Sequence, residues 1–214
     1  MRRESHVRFC ERLGGRFPGP TRLVLLVSGT QDNAEALREE VSQTLAPMGL
    51  SLSAGKTRVV HMDEGFDFLG FRIQKRRKRG TRQRPIYTYP SKEAVQSVKR
   101  KVRGLTCRSS APTPPWVLLK RINALLSGWA RYFRHGVSKA TFDYLYMFAW
   151  RRVTRWLRKR HPRVPFRDLF RRYMVRWRIV SDGVELFHPG SIPVKRYRYR
   201  GTRIPTPWSA VGTA

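Results

Sequence analysis

Leu118-Leu119-Lys120-Arg121-Ile122-Asn123-Ala124-Leu125-Leu126-Ser127-Gly128-Trp129-Ala130-Arg131-Tyr132-Phe133 is the stretch on which the fold turns. Leu118, Ile122, Leu125, Leu126, Trp129 and Phe133 recur at helical spacing, so one face of a helix is apolar and must be covered. That helix is expected to end near His135-Gly136. Downstream, Phe142, Leu145, Ala149, Val153 and Trp156 mark another helix, stopped by Pro162. Phe166, Leu169, Phe170, Tyr173, Met174 and Trp177 mark a further one, with Pro165 at its first turn. Residues 178–181 and 184–187 then flank Asp182-Gly183, a strong signal for a two-residue hairpin turn. Trp129, Trp150, Trp156 and Trp177 fall at core spacing and are expected inside.

Upstream of the decisive helix, Ala94, Val95, Val98 and Val102 form a stripe among Lys99, Arg100, Lys101 and Arg103, and predict a helix that begins after Pro90. Residues 108–115, rich in Ser and Pro, are expected to be a linker. Nearer the N-terminus, residues 22–27 read as a buried strand. Ser28-Gly29-Thr30-Gln31-Asp32 follows as a turn with a candidate N-cap. Ala34, Leu37, Val41 and Leu45 predict a helix closed by Pro47 and Gly49. Residues 57–62 and 66–73 read as two strands around a turn at Asp63-Glu64-Gly65. The expected class is α+β: a strand-helix-strand-strand unit, then a mainly helical region with a C-terminal hairpin.

Charge divides the chain as sharply as pattern does. The 214 residues hold 45 Lys+Arg against 14 Asp+Glu, a formal net charge of +31. Residues 1–74 hold 10 of these cations and 9 of the acids, whereas residues 75–214 hold the remaining 35 and 5, a net of +30. A compact body so charged repels itself unless a polyanion is near, which makes nucleic acid the expected partner. No apolar run approaches the roughly 20 residues of a spanning helix, so no membrane role is expected. No apolar signal region follows the first residues. Cys10 and Cys107 stand alone, which excludes a Cys-x-x-Cys metal knuckle and suits a reducing, cytoplasmic setting.

The candidate nucleic-acid contacts follow from that distribution. Lys75, Arg76, Arg77, Lys78 and Arg79 form a basic loop that should link one strand to residues 85–89. Lys99 and Arg100 flank one helical stripe; Arg151, Arg152, Arg155, Arg158 and Lys159 flank another; Arg171 and Arg172 lie on the next. Arginine is suited to phosphate because its planar fork donates two parallel hydrogen bonds. A solvated surface is the ordinary reading of such a face, but here almost no carboxylates are interspersed to balance it. Arg131, Tyr132, Arg134 and His135, with Tyr197 and Tyr199 in the basic tail, place rings among cations, as single-stranded RNA readers do. His61, His135, His161 and His188 show no metal-ligand spacing, and no metal site is expected.

These residues also carry a resemblance. Gly128-Trp129-Ala130-Arg131-Tyr132-Phe133-Arg134-His135-Gly136, then Phe142-Asp143-Tyr144-Leu145 and Trp150-Arg151-Arg152-Val153, resembles the maturase-specific (thumb, or X) domain of group II intron reverse transcriptases. Met48-Gly49-Leu50-Ser51-Leu52-Ser53 with Lys56-Thr57 resembles the reverse transcriptase block after the catalytic strand. Phe66-Asp67-Phe68-Leu69-Gly70-Phe71 resembles the next block, the primer grip, and gives Phe68, Leu69, Gly70 and Phe71 that role by resemblance. Residues 1–22, rich in Gly and Pro after Cys10, are expected to be irregular, non-native to the fold or disordered, and the resemblance implies a palm remnant over 23–89. Thumb and maturase domain then occupy 90–190, and a basic aromatic tail 191–214.

The family's polymerase needs carboxylates that hold two metal ions about 3.5–4 Å apart. Where the family has an adjacent Asp pair, this chain reads Phe9-Cys10-Glu11-Arg12, with one acid and a cation beside it. The resemblance therefore implies no catalytic residues here. It implies an RNA-binding, maturase-like protein that stabilises folded group II intron RNA for splicing, with no cofactor of its own and Mg2+ only through the bound RNA. DNA is the alternative polyanion. The competing accounts are the C-terminal part of a split RNA-directed DNA polymerase and a relic that binds nucleic acid without specificity. Palm strands at residues 23–27 and 66–71 are then expected to expose sheet edges that favour association.

Overall fold

The computed structural model describes residues 24–27 and 29–195, together with the backbone of the strand Val7–Arg8. The chain divides into two compact units, Met1–Ala94 and Val95–Ala214. Its described residues form five α-helices and three antiparallel sheets of three strands.

In the first unit, β1 (Val7–Arg8) lies between β2 (Val24–Leu25) and β3 (Arg58–Val59), with Val7 opposite both Leu25 and Val59. A strand therefore forms within the stretch expected to be irregular. Helix α1 (Gln31–Leu45) begins at Thr30, whose side-chain oxygen accepts the Asn33 N–H at 3.4 Å. Ala34 is the buried residue of α1, and Leu25, Val27, Leu52 and Val59 pack around it. The methyl group lets the helix sit close to the strands. The expected buried strand at 22–27 is only half-buried over Val24–Leu25, and Leu26 is 64% exposed. Leu25 and Val27 pack against Ala34, so Leu26 between them points to the opposite face, as alternate residues of an extended chain do.

The second sheet consists of β4 (Phe66–Phe68), β5 (Phe71–Lys75) and β6 (Ile86–Pro90). Residues 66–73 had the composition of one strand. They instead fold back at Leu69-Gly70, where both φ angles are positive (48° and 78°), so that Phe68 faces Phe71. The aromatic and aliphatic residues on both sides of Leu69-Gly70 read as one strand and hide a turn of two residues. Gly65 is obligatory for a different reason. Its φ is +71°, and a Cβ there would lie 2.6 Å from the Ile73 carbonyl oxygen.

Helix α2 (Lys92–Leu105) starts at Ser91, whose hydroxyl accepts the Ala94 N–H at 3.1 Å. In the second unit its Val98 and Val102 join α3 (Pro115–Phe133), α4 (Lys139–Arg160) and α5 (Phe166–Tyr173) around one core. Leu118, Ile122, Leu126, Leu145, Val153 and Trp156 are all at most 2% exposed. Burial of each such aliphatic side chain contributes about 1.5–3 kcal/mol. The unit closes with β7 (Met174–Val175), β8 (Arg178–Ser181) and β9 (Val184–Glu185), the last two joined by the Asp182-Gly183 turn.

Two expectations fail here. The helix expected to reach Trp177 ends at Tyr173, and Met174 pairs with Ile179 across a turn made by Arg176 and Trp177. Met174 is buried in either conformation, so the apolar pattern does not register the change from helix to strand. Trp177 is consequently 67% exposed, not in the core. The 108–115 linker is also more ordered than its composition suggests. It contains a 3-10 turn at Arg108–Ser110 and is tied down by α4.

Candidate nucleic-acid interface

Helix α4 carries its chemistry on the face its core residues leave open. Tyr144, Met147, Arg151, Arg155 and Arg158 are exposed at three- and four-residue steps, and Lys159 lies beside the last. After Asp143 the helix has no carboxylate. Its cations gather toward the C-terminus, where they also complement the negative end of the helix dipole.

A groove of about 1050 Å³ opens at that end. Arg155, Arg158 and Lys159 line one wall, Arg108 and Pro112 the linker side, and Phe166 the start of α5. Among the described residues its lining holds no carboxylate. Arg158 stands 5.9 Å from the centre of the Phe166 ring, so cation and aromatic face are adjacent. Such a concavity offers forked donors to phosphate and an apolar surface to a base or sugar. Cys107 also lines it, and a hydrogen bond with Ser109 lowers its thiol pKa.

Not every cation of α4 faces solvent. Arg152 donates from Nε to Thr106 Oγ1 and from Nη2 to the Thr106 carbonyl, both at 3.0 Å. Arg160 donates to the carbonyls of Ala111 and Thr113, the latter at 2.9 Å, and Trp156 Nε1 donates to Ser110 Oγ at 3.0 Å. Arg152 thus fixes the end of α2, and Trp156 and Arg160 hold the linker beside Arg155 and Arg158. Neither Arg160 nor Arg108 stood out in the sequence, where they were two more cations among many.

The remaining expected contacts are spread over several surfaces. Lys99 Nζ lies 2.7 Å from Tyr144 Oη and 5.1 Å from the ring centres of both Tyr144 and Phe148, which leaves its ammonium half-buried. Arg100 is exposed on α2. Arg131 and Tyr132 are exposed at the end of α3, Tyr132 edge-on to Phe133. Arg134 and His135 are half-buried there. The Arg134 carbonyl accepts from the Lys195 N–H at 2.9 Å, and His135 Nδ1 lies 3.0 Å from the Lys195 carbonyl. That oxygen can only accept, so Nδ1 carries the proton. Arg171 and Arg172 are exposed on α5, and Arg172 lies over the Tyr173 ring.

In the first unit, Arg76, Arg77, Lys78 and Arg79 are exposed in the loop between β5 and β6, while Lys75 ends β5. Arg76 Nε donates to Gln74 Oε1 at 2.9 Å and its guanidinium sits 5.2 Å from the Tyr89 ring centre. Arg77 Nε donates to the Thr81 carbonyl at 3.1 Å. The primer-grip-like residues Phe68, Leu69, Gly70 and Phe71 form the tight turn at the other end of the same sheet.

A second concavity of about 790 Å³ has different chemistry. Asp143 and Glu185 line it beside Arg131, Lys139 and Tyr146. Burial, then the charge of Glu185, raise the Tyr146 pKa. Two of the five acids in residues 75–214 stand at this one place, which makes it a poor site for phosphate. Among the described residues no three His, Cys, Asp or Glu side chains gather into a metal-binding group. Phe9-Cys10-Glu11-Arg12, Tyr197 and Tyr199 lie outside the described residues.

No helix among the described residues is long and apolar enough to cross a membrane. Residues 95–174 match the family described as "Group II intron, maturase-specific domain". A stretch of 72 residues, 33% of this chain, is 39% identical to Protein YkfC of Escherichia coli (strain K12), and covers 19% of that protein's length. Every residue lining the cationic groove lies inside the stretch of the helical unit, residues 95–174, that is similar to the group II intron maturase-specific domain.

Proposed function

We propose that the chain binds structured group II intron RNA and stabilises its folded form for splicing, the RNA itself supplying the reaction chemistry. The observation that carries this reading is the groove at the end of α4. It combines Arg108, Arg155, Arg158 and Lys159 with the exposed ring of Phe166, and its described lining has no carboxylate. Phosphates held there fix the position of an RNA backbone, and the release of condensed counterions supplies much of the affinity. Nothing in this reading requires a polymerase site, and any Mg2+ in the complex enters with the RNA.

The test is a binding titration of a group II intron RNA and a size-matched unrelated RNA across salt concentrations. Both affinities should fall steeply as salt rises. The intron RNA should keep its advantage at high salt, where non-specific phosphate contact is screened. Coincident curves at every salt concentration would overturn the proposal and leave a basic protein without RNA selectivity.

A further inference from the structure

The turn between β7 and β8 is built from residues that avoid its geometry. Arg176 and Trp177 both have positive φ, 49° and 68°. For residues with a Cβ this region is disfavoured, and such turns ordinarily use Asn or Gly. Backbone held there by its surroundings is a feature that calls for a reason. The surroundings are visible. Trp150 Nε1 donates to the Trp177 carbonyl at 3.0 Å, and the Phe170 ring meets the Trp177 ring edge to face at 4.9 Å. The result is to display an indole, 67% exposed, beside Val175, which is 61% exposed.

The display continues a ladder of rings. Trp150 and Trp177 are 6.4 Å apart, and Phe170 and Phe166 6.3 Å. Arg158 lies over Phe166 at the far end. The ladder therefore runs from Trp177 to two residues that line the cationic groove. Arg167 and Arg171, both exposed, directly follow Phe166 and Phe170 along α5, and Arg176 is exposed in the turn itself.

An apolar protein partner would meet a rim of arginines here, whereas a nucleic acid presents phosphates to the arginines and a flat base to the indole. We infer that Trp177 is a stacking platform for an unpaired nucleobase of RNA whose backbone lies in the Arg155–Arg158–Lys159 groove. The inference rests on the RNA-binding reading above and adds a site to it, since Trp177 lies outside residues 95–174. Aromatic stacking tolerates any base, so this contact selects unpaired nucleotides rather than a sequence.

The experiment uses the full chain and two RNAs, an intron-derived hairpin with an unpaired loop and the same helix fully paired. Wild type should prefer the looped RNA. Trp177→Leu, which keeps apolar packing but has no ring, should lose about 5- to 150-fold on the looped RNA and little on the paired one. Trp177→Phe should recover part of the loss, and circular dichroism should show all variants folded. Equal affinity of wild type and Trp177→Leu for the looped RNA would overturn the stacking site. That outcome differs from failure of the broader reading, in which wild type itself would not distinguish intron from unrelated RNA. A dimer in sedimentation that Trp177→Leu abolishes would assign the patch to a second copy of the chain and also overturn the proposal.

Discussion

Arg152, in the middle of α4, closes the end of α2 by donating two 3.0 Å hydrogen bonds to Thr106, one to its hydroxyl and one to its carbonyl. The hydroxyl in turn donates to the Val102 carbonyl at 2.8 Å, one turn back in α2. Carbonyls at a helix C-terminus lack intrahelical donors, and a guanidinium supplies two with the right spread. A cation that appears in the sequence as one of a run of six is thus part of the scaffold, while its neighbours Arg151 and Arg155 face solvent.

Arg152→Ala should therefore destabilise the helical unit by about 1.5–3 kcal/mol, the range for hydrogen bonds to a charged group. Arg152→Lys should recover little, because an ammonium cannot make the forked contact. Urea denaturation checks both. A wild-type midpoint for Arg152→Ala would show that the pair contributes nothing.

Arg155→Gln, Arg158→Gln and Lys159→Gln should leave stability near wild type and weaken RNA binding. Each phosphate contact removed should lower the slope of log affinity against log salt by about 0.7–0.9. Titration at several salt concentrations separates this from a loss of fold. An unchanged slope in the triple variant would remove the groove from the interface.

His161 should make the helical unit less stable in mild acid. Burial, then the charges of Arg172 and Arg160, hold its pKa below the ordinary 6.5, and its Nε2 lies 3.0 Å from Tyr173 Oη. The unfolded chain therefore takes up a proton before the folded one does. The stability from neutral His161 is complete above the unfolded pKa and is lost as pH falls through the folded one. Melting temperature measured from pH 7.5 to about 5 should fall more steeply for wild type than for His161→Phe. Parallel curves would show that another group carries the acid sensitivity.

Gly65→Ala should destabilise the first unit by about 1–3 kcal/mol, the cost of a strained backbone position. The added Cβ would meet the Ile73 carbonyl and Gln74 Cβ, at 2.6 and 2.7 Å. Hydrogen exchange over residues 66–75 should accelerate while the helical unit is unaffected. Unchanged protection in both would show that the close approach relaxes freely.

The helices of the second unit were legible because their apolar stripes repeat over several turns, and periodicity is a local property. A helix cap within residues 28–32, which proves to be Thr30, and Asp182-Gly183 as a turn were legible for the same reason, since each depends on a few adjacent residues. The turn at Leu69-Gly70 was hidden because Phe68 and Phe71 continue the apolar character on either side, and that at Arg176-Trp177 because neither residue, read alone, marks a break. The charge surplus was plain in the sequence, but its division between solvent-facing cations and scaffold was not.

What the sequence determined by itself was the class of the fold, the lengths of the long helices, the net charge of the C-terminal region and the family resemblance. Each follows from residue type and spacing along the chain. Only the tertiary structure decided that Arg152 closes the end of α2, that Trp156 and Arg160 tie down the linker, that Arg155, Arg158 and Lys159 share a groove with Phe166, and that Trp177 is displayed. Those outcomes depend on which residues, 46 to 49 positions apart for the linker ties, arrive at hydrogen-bonding distance. No local pattern encodes that arrival, because it is fixed by how the buried faces of four helices pack together.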